Sequence, residues 1–407
     1  FNAIINTIPA PAINSGEGFQ LQAITLDHDD HKGTLVIGKV SRGLTKINDP
    51  LAIIRSSKKI GQGRVEYLFS FNGLKQTQIT QTQAGDIVSV AGFSNVKIGD
   101  TLTSLDHQQG LPSLEIAEPT IQIQLSPSNS PLVGQDGKFN TSRQLKQRLE
   151  KELETNVGLR LPSGTNSESF TVAGRGELHL SILIETMRRE GYEFSVAKPE
   201  VIFKTIDDKI CEPWEDLTIE VPETQTGVII NSLSLRKAEM VNMQNLSTGV
   251  RLHYKISTRN LIGLRSELMT KTSGAAVISS QFDKYHPKTQ VADLQRNGSL
   301  VSTEPGQALA YSIEHIQQRG ITFVEPGEQV YQGMIVGQNS RSEDLWINIC
   351  KGKKLTNMRA ASADMALKIA PAVRLSLEQC LNFLASDELL EVTPKHLRLR
   401  KKILSKK

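Results

Sequence analysis

The chain has 407 residues, 38% hydrophobic and 22% charged, the composition of a folded chain too long for one core, so several domains are expected and wholesale disorder is excluded. No run approaches the roughly 20 uninterrupted apolar residues of a membrane helix, and no basic stretch leads into an apolar one at the N-terminus, which excludes a membrane-inserted or exported reading. Of the 47 Lys/Arg, eleven crowd into residues 351–359 and 395–407, which hold no acid, leaving 36 basic against 43 acidic residues elsewhere; a slightly acidic body with focused positive segments suits contact with a polyanion.

The first residue is Phe1 rather than Met, and Ile8-Pro9-Ala10-Pro11 reads as an extended linker, so a further segment upstream is expected. From Phe19 to about Leu105 short alternating strands are punctuated by Arg42-Gly43, Asn72-Gly73, Gly85-Asp86 and Gly99-Asp100, which predicts an antiparallel β-barrel over residues 1–112. Residues 113–198 change rhythm. Strand Thr120–Leu125, a helix from about Ser142 with a Thr141/Gln144 capping box, strand Ser169–Val172 and a helix from about Glu177 closed by Gly191 predict a ferredoxin-like split-βαβ domain. Residues 199–290 repeat it, with strands Leu217–Val221, Val250–Ile256 and Ala276–Ser280 and helices from about Gly227 and Leu261. The mixed C-terminal domain, 291–407, carries strand-like runs Leu309–Ile316 and Leu345–Cys350 and a helix from about Leu377 with its own Ser376/Gln379 capping box. The fold class expected is therefore multidomain β and α+β.

Chemistry is sparse along most of the chain. No GxxxxGK[S/T] or Asn-Lys-x-Asp occurs; Gly134-Gln135-Asp136-Gly137-Lys138-Phe139 comes nearest, with the wrong spacing and Phe at the hydroxyl position, so no GTP site is expected. Asp27-His28-Asp29-Asp30-His31 falls between strands and reads as a solvated hairpin turn rather than a metal site. Cys211, Cys350 and Cys380 form no CxxC pair, which gives neither zinc site nor disulfide framework and fits a reducing cytoplasm; Cys380 shares a helical stripe with Leu377, Leu381 and Leu384 and reads as core. No catalytic constellation stands out. Gly174-Arg175-Gly176 is a strand-to-helix turn in which both glycines could allow positive φ and free amides for an anion, although a plain tight turn before an amphipathic helix is the preferred reading of these residues alone. Lys351-Gly352-Lys353-Lys354-Leu355-Thr356-Asn357-Met358-Arg359 combines four cations with Thr/Asn groups suited to phosphate and 2′-hydroxyl contacts, against the alternative of a solvated loop. Arg398, Arg400 and Lys401 extend the basic character, where a solvated charge run with a frayed end is the plainer reading.

Gly174-Arg175-Gly176-Glu177-Leu178-His179-Leu180, Met187-Arg188-Arg189-Glu190-Gly191, residues 351–359, Leu375-Ser376-Leu377-Glu378-Gln379 and Glu391-Val392-Thr393-Pro394-Lys395 together resemble the TypA/BipA translational GTPases. The Gly-Glu-Leu-His-Leu element also occurs in elongation factor G and LepA; segment 351–359 discriminates. The resemblance spans the whole chain and implies domains II, III and V and a family-specific C-terminal domain without the G domain. GTP and Mg²⁺ then belong to the full-length protein, and this chain alone is expected to be inactive. It further implies a monomer contacting ribosomal RNA of both subunits and A-site tRNA, in stress-responsive translation or ribosome assembly. Lys351, Lys353, Lys354, Leu355, Thr356, Asn357, Met358 and Arg359, with Arg398, Arg400 and Lys401, would touch RNA. A translocation factor fragment, LepA-like or elongation-factor-G-like, and a stand-alone RNA-binding scaffold are the alternatives. Thr258-Arg259-Asn260, Ala360-Ala361-Ser362 and Ile47-Asn48-Asp49 depart from the family pattern, each lacking an expected glycine.

Overall fold

The computed structural model describes all residues except 10–15, 17, 30, 74, 113–117, 163–167, 290–295, 353–368 and 406–407. Contacts divide the chain into two units, Phe1–Ile116 with Gln147–Gly158, and Ala117–Lys146 with Leu159–Lys407. Both are dominated by antiparallel strands, and helices accompany the sheets of the second, the multidomain β and α+β class expected.

In the first unit eight antiparallel strands run in the order Lys58–Arg64, Pro50–Arg55, Thr101–Ser104, Gln20–Asp29, Gly33–Arg42, Ile87–Ala91, Tyr67–Asn72, Lys75–Gln78. The path is open: among the described residues no ladder joins its outer strands, so the expected barrel is not closed by hydrogen bonds. Leu21, Val40, Leu51, Leu68, Val90 and Leu102, drawn from both halves of the path, nevertheless share one buried cluster, so apolar burial gathers the sheet around a single core. All four expected turn glycines take left-handed φ, at 73°, 60°, 97° and 91° for Gly43, Gly73, Gly85 and Gly99. Asn48, in a turn expected to contain glycine, adopts φ 71°, which Asn tolerates better than other side chains. Asp49 and Asp86 brace equivalent turns: each accepts from a Thr hydroxyl four residues back (Thr45, Thr82) and from the next amide (Lys46, Gln83).

The second unit holds two sheets of ferredoxin-like character. One pairs Phe170–Gly174, Ile121–Pro127 and Phe194–Ala197, and the chain's last strands, Glu388–Val392 and Leu397–Lys401, continue it beyond Phe194–Ala197. The helix Glu177–Arg189 buries Leu180, Leu183, Ile184 and Met187, the i, i+3, i+4, i+7 face read from the sequence, and ends before Gly191 at φ 97°. The other orders Lys204–Ile206, Lys209–Val221, Gly249–Ser257 and Glu239–Leu246, with Val277–Pro287 also on Lys209–Val221. Three local expectations need correction. The helix expected from Leu261 is two pieces, Thr258–Leu261 and Leu264–Lys271, separated by Gly263 at φ 75°. Strand Glu239–Leu246 was not foreseen, because its edge position leaves it almost wholly exposed and its sequence without alternation. Leu309–Ile316, expected as strand, is mostly the helix Ala310–Gln317: Leu309, Tyr311 and Ile313 alternate, but the residues it buries are Ser312, Ile313 and Ile316, at helical spacing.

Candidate nucleic-acid interface

The basic segment follows strand Leu345–Ile347, which pairs in parallel with Ser299–Ser302. Its start is fixed by backbone bonds from Thr303 to Ile347 and from Leu309 to Ile349, and by the Ser312 hydroxyl donating to the Lys351 carbonyl. The Lys351 side chain is exposed. Lys353, Lys354, Leu355, Thr356, Asn357, Met358 and Arg359 lie outside the described residues. The chain is fixed again at Ala370, whose N–H and C=O exchange two hydrogen bonds, 2.9 and 2.8 Å, with the Gln317 carboxamide. Both anchors therefore stand on one helix. Ser312 and Gln317 are five residues apart, about 7.5 Å along its axis, so the ends of the segment are held by one rigid element. Cys350, just before it, is a partly buried free thiol whose pKa burial raises.

The C-terminal cations stand differently. Strand Leu397–Lys401 turns Arg398 and Lys401 toward carboxylates, and takes Arg400 out of water against an amide oxygen. Arg398 pairs with Glu391 and Asp136, and Arg400, 1% exposed, donates to Asn129. Lys401 meets Asp344, Asp387 and Glu388; burial alone lowers its pKa, but the three carboxylates outweigh that and raise it. A frayed cationic run is thus not what residues 397–401 form. Their charge is spent inside the fold.

At Gly174-Arg175-Gly176 the expected positive φ is absent: neither glycine lies in the left-handed region, and Gly176 is extended at φ 178°. Gly174 is required by packing, since a Cβ there would sit 2.8 Å from Leu180 Cδ2. Arg175 is exposed, while its N–H reaches His179 Nδ1 at 3.4 Å. Glu177 heads the helix and turns inward, where burial raises its pKa and the Gly263 amide partly compensates. The loop nearest to a phosphate cradle already holds an anion of its own, because the Gly134 and Gly137 amides both donate to one oxygen of buried Glu193. Asp29 closes the Gln20–Asp29/Gly33–Arg42 hairpin, and bonds from the His31 and Lys32 amides and the Lys32 ammonium hold its pKa near 2. No set of three or more His, Cys, Asp or Glu among the described residues is arranged to hold a metal. Cys380 is core as expected, its thiol pushed up to about 12 by burial. No described helix is long and apolar enough to cross a membrane.

Comparison with known proteins gives three family matches: TypA/BipA C-terminal domain over residues 297–406, elongation factor G C-terminus over 209–295, and elongation factor Tu domain 2 over 33–103. A Bacillus subtilis (strain 168) protein named large ribosomal subunit assembly factor BipA is 44% identical over the whole of this chain and 67% of its own length. Proteins of the same name from a Synechocystis strain and from Escherichia coli O157:H7 are 42% identical over 98% and 100% of this chain, each covered over 67% of its length. The chain thus spans about two thirds of the relatives it matches.

Proposed function

Because the chain belongs to the TypA/BipA family, we propose that it is the ribosome-binding C-terminal portion of a GTPase that acts in the cytoplasm in assembly of the large ribosomal subunit. Segment 351–359 is the part that meets RNA, both ribosomal RNA and the acceptor end of an A-site tRNA. GTP and Mg²⁺ are bound by the remainder of the full-length protein, and a role in stress-responsive translation follows from the same attachment. The observation that carries the RNA reading is where the sequence puts its acid-free cations: Arg398 and Lys401 are paired with acids inside the fold, whereas the four cations of 351–359 have no acid within the segment, and the chain on either side, at Lys351 and Ala370, is tied to one helix. A cation-rich segment whose flanks are fixed to one helix suits phosphate recognition, because less freedom is lost on binding.

The test is co-sedimentation of the full chain with large ribosomal subunits. Replacing Lys351, Lys353, Lys354 and Arg359 with Ala should cut affinity at least tenfold while thermal stability changes little, since exposed substitutions usually cost within about 0.5 kcal/mol each. The same charge change at exposed Lys39, Lys46, Lys58 and Lys59 is the control. Equal losses in both variants would reduce the effect to net charge, and an unaltered affinity in the first would remove the segment from the interface.

A further inference from the structure

A cleft of about 560 Å³ opens within the second unit. Its walls are the Glu177–Arg189 helix, the extended stretch 373–377 and the start of strand Leu397–Lys401. The deepest lining is apolar: Val324, Met334, Ile335, Cys380 and Leu399 are all nearly inaccessible to water. With its pKa pushed up to about 12, the Cys380 thiol stays uncharged at neutral pH. Phe323 adds a partly exposed ring, set edge-on against Phe383. The lip is different. Arg374, Lys395 and His396 have side chains 57%, 69% and 44% exposed.

How tightly each cation is already held decides which could serve a ligand. Arg188 donates to the Thr393 carbonyl at 2.9 Å and to Glu185 at 3.2 Å, and Arg398 binds Glu391 at 3.1 Å; both are only 23% and 10% exposed and belong to the fold. Arg374 reaches Glu328 and Glu325 only at 3.3 and 3.5 Å, and Lys395 reaches Asp136 at 3.8 Å. Exposed pairs of that length contribute little and exchange readily. Of the acids facing the cleft, Glu185 is held by Arg188 and Arg189, and Glu328 by Arg374. An apolar floor with an aromatic ring and two loosely held cations at the lip fits a ligand with a flat, weakly polar body and an anionic end.

We propose that this cleft binds a nucleoside phosphate, the base seated over the apolar floor beside Phe323 and the phosphate taken by Arg374 and Lys395. The same chemistry has two sources: a free nucleotide, or one nucleotide of an RNA strand. The stretch 373–376 that supplies a wall lies shortly after residues 353–368 in the chain, so the second source rests on the RNA reading of the basic segment, and the first does not.

Two probes separate them, adenosine 5′-monophosphate by calorimetry and a single-stranded 5′-phosphorylated RNA octamer by fluorescence anisotropy, each on the full chain. Arg374→Glu with Lys395→Glu reverses the lip charge at exposed positions. Val373→Trp, from a residue 40% exposed at the mouth, fills the cleft and leaves the charges in place. Saturable binding of the monophosphate, weakened at least tenfold by both variants, assigns the cleft to free nucleotide. An octamer affinity reduced at least tenfold by both, with no saturable monophosphate binding, assigns it to a strand. The inference is overturned if neither probe is affected by Val373→Trp, whether or not charge reversal weakens the octamer, because a general field would be insensitive to filling. The quadruple Ala variant of the basic segment keeps the two readings apart, since it should leave monophosphate binding intact even if it abolishes attachment to ribosomal subunits.

Discussion

Among the described residues Arg400 is the bulkiest side chain fully withdrawn from water. One guanidinium nitrogen bonds Asn129, while Nε and Nη1 lack hydrogen-bond partners. Nearby Glu391, also fully buried, accepts from the Tyr331 hydroxyl at 2.8 Å and from Arg398. Burial raises the Tyr331 pKa and the adjacent Glu391 raises it further, so the phenol remains a donor. Truncating Arg400 would leave Asn129 without this donor and open a cavity in the core, and large-to-small core changes typically cost about 2–5 kcal/mol. Arg400→Ala should therefore lower unfolding free energy by roughly that amount in urea titrations, with Arg400→Met losing less because it keeps much of the volume. A value for Arg400→Ala within about 0.5 kcal/mol of the parent would show that this buried charge is not structural. Nothing in the sequence announced its position. Arg398, Arg400 and Lys401 look like any basic run until Asn129 and Asp136, some 260–270 residues earlier, are brought against them. Lys351 offers the opposite case, since a cation-rich stretch free of acids was already evident as a segment distinct from any core.

At the scale of elements, what could be read was what repeats locally. The Glu177–Arg189 helix carried its buried stripe and terminal glycine in its own sequence, and the Ser376/Gln379 capping box is present in both directions. The Ala310–Gln317 helix was missed because eight residues can satisfy period 2 and period 3.6 together, and only the packing of Ile313 and Ile316 into the C-terminal core separates them. That omission matters for the candidate site, as this helix supplies both anchors of the basic segment. The hairpin of Glu388–Val392 and Leu397–Lys401 was equally illegible as part of an earlier sheet. It is latched by Asp136, whose carboxyl burial pushes up but which hydrogen bonds from His396 and Thr393, with Arg398 near, pull below its ordinary 3.8. A carboxyl lowered in the folded state stabilises it above the unfolded pKa, and the contribution disappears as pH falls through the folded value. Glu193, raised by burial, has the opposite sign and acts above 4.5. Unfolding free energy should accordingly fall as the pH drops below about 4, and Asp136→Asn should flatten that decline while lowering stability at pH 7. A parent-like slope in the variant would mean that the latch is not titrating.

For the whole molecule the relevant quantity is where positive charge remains uncommitted. With Arg398 and Lys401 paired to acids and Arg400 buried, attachment to large ribosomal subunits should depend on salt through the 351–359 cations. Each phosphate contact contributes about 0.7–0.9 to the slope of log affinity against log salt. Loss of four contacts should reduce that slope by roughly three, and a slope unchanged in the quadruple variant would assign the salt dependence to another surface. The fold class was available from spacing and turn chemistry, but the crossing of sheet boundaries by strands Glu388–Val392 and Leu397–Lys401 was not, because pairing between distant segments leaves no periodic mark. That crossing bears on the order in which the protein is made. Strand Phe194–Ala197 emerges from the translating ribosome about 190 residues before its partner Glu388–Val392, so at about 5–20 residues per second its edge waits unpaired for roughly 10–40 s. During that interval the nascent chain presents an open template for mispairing. A chain halted before residue 388 would keep it indefinitely, which makes synthesis of residues 388–392 the step that seals this part of the fold.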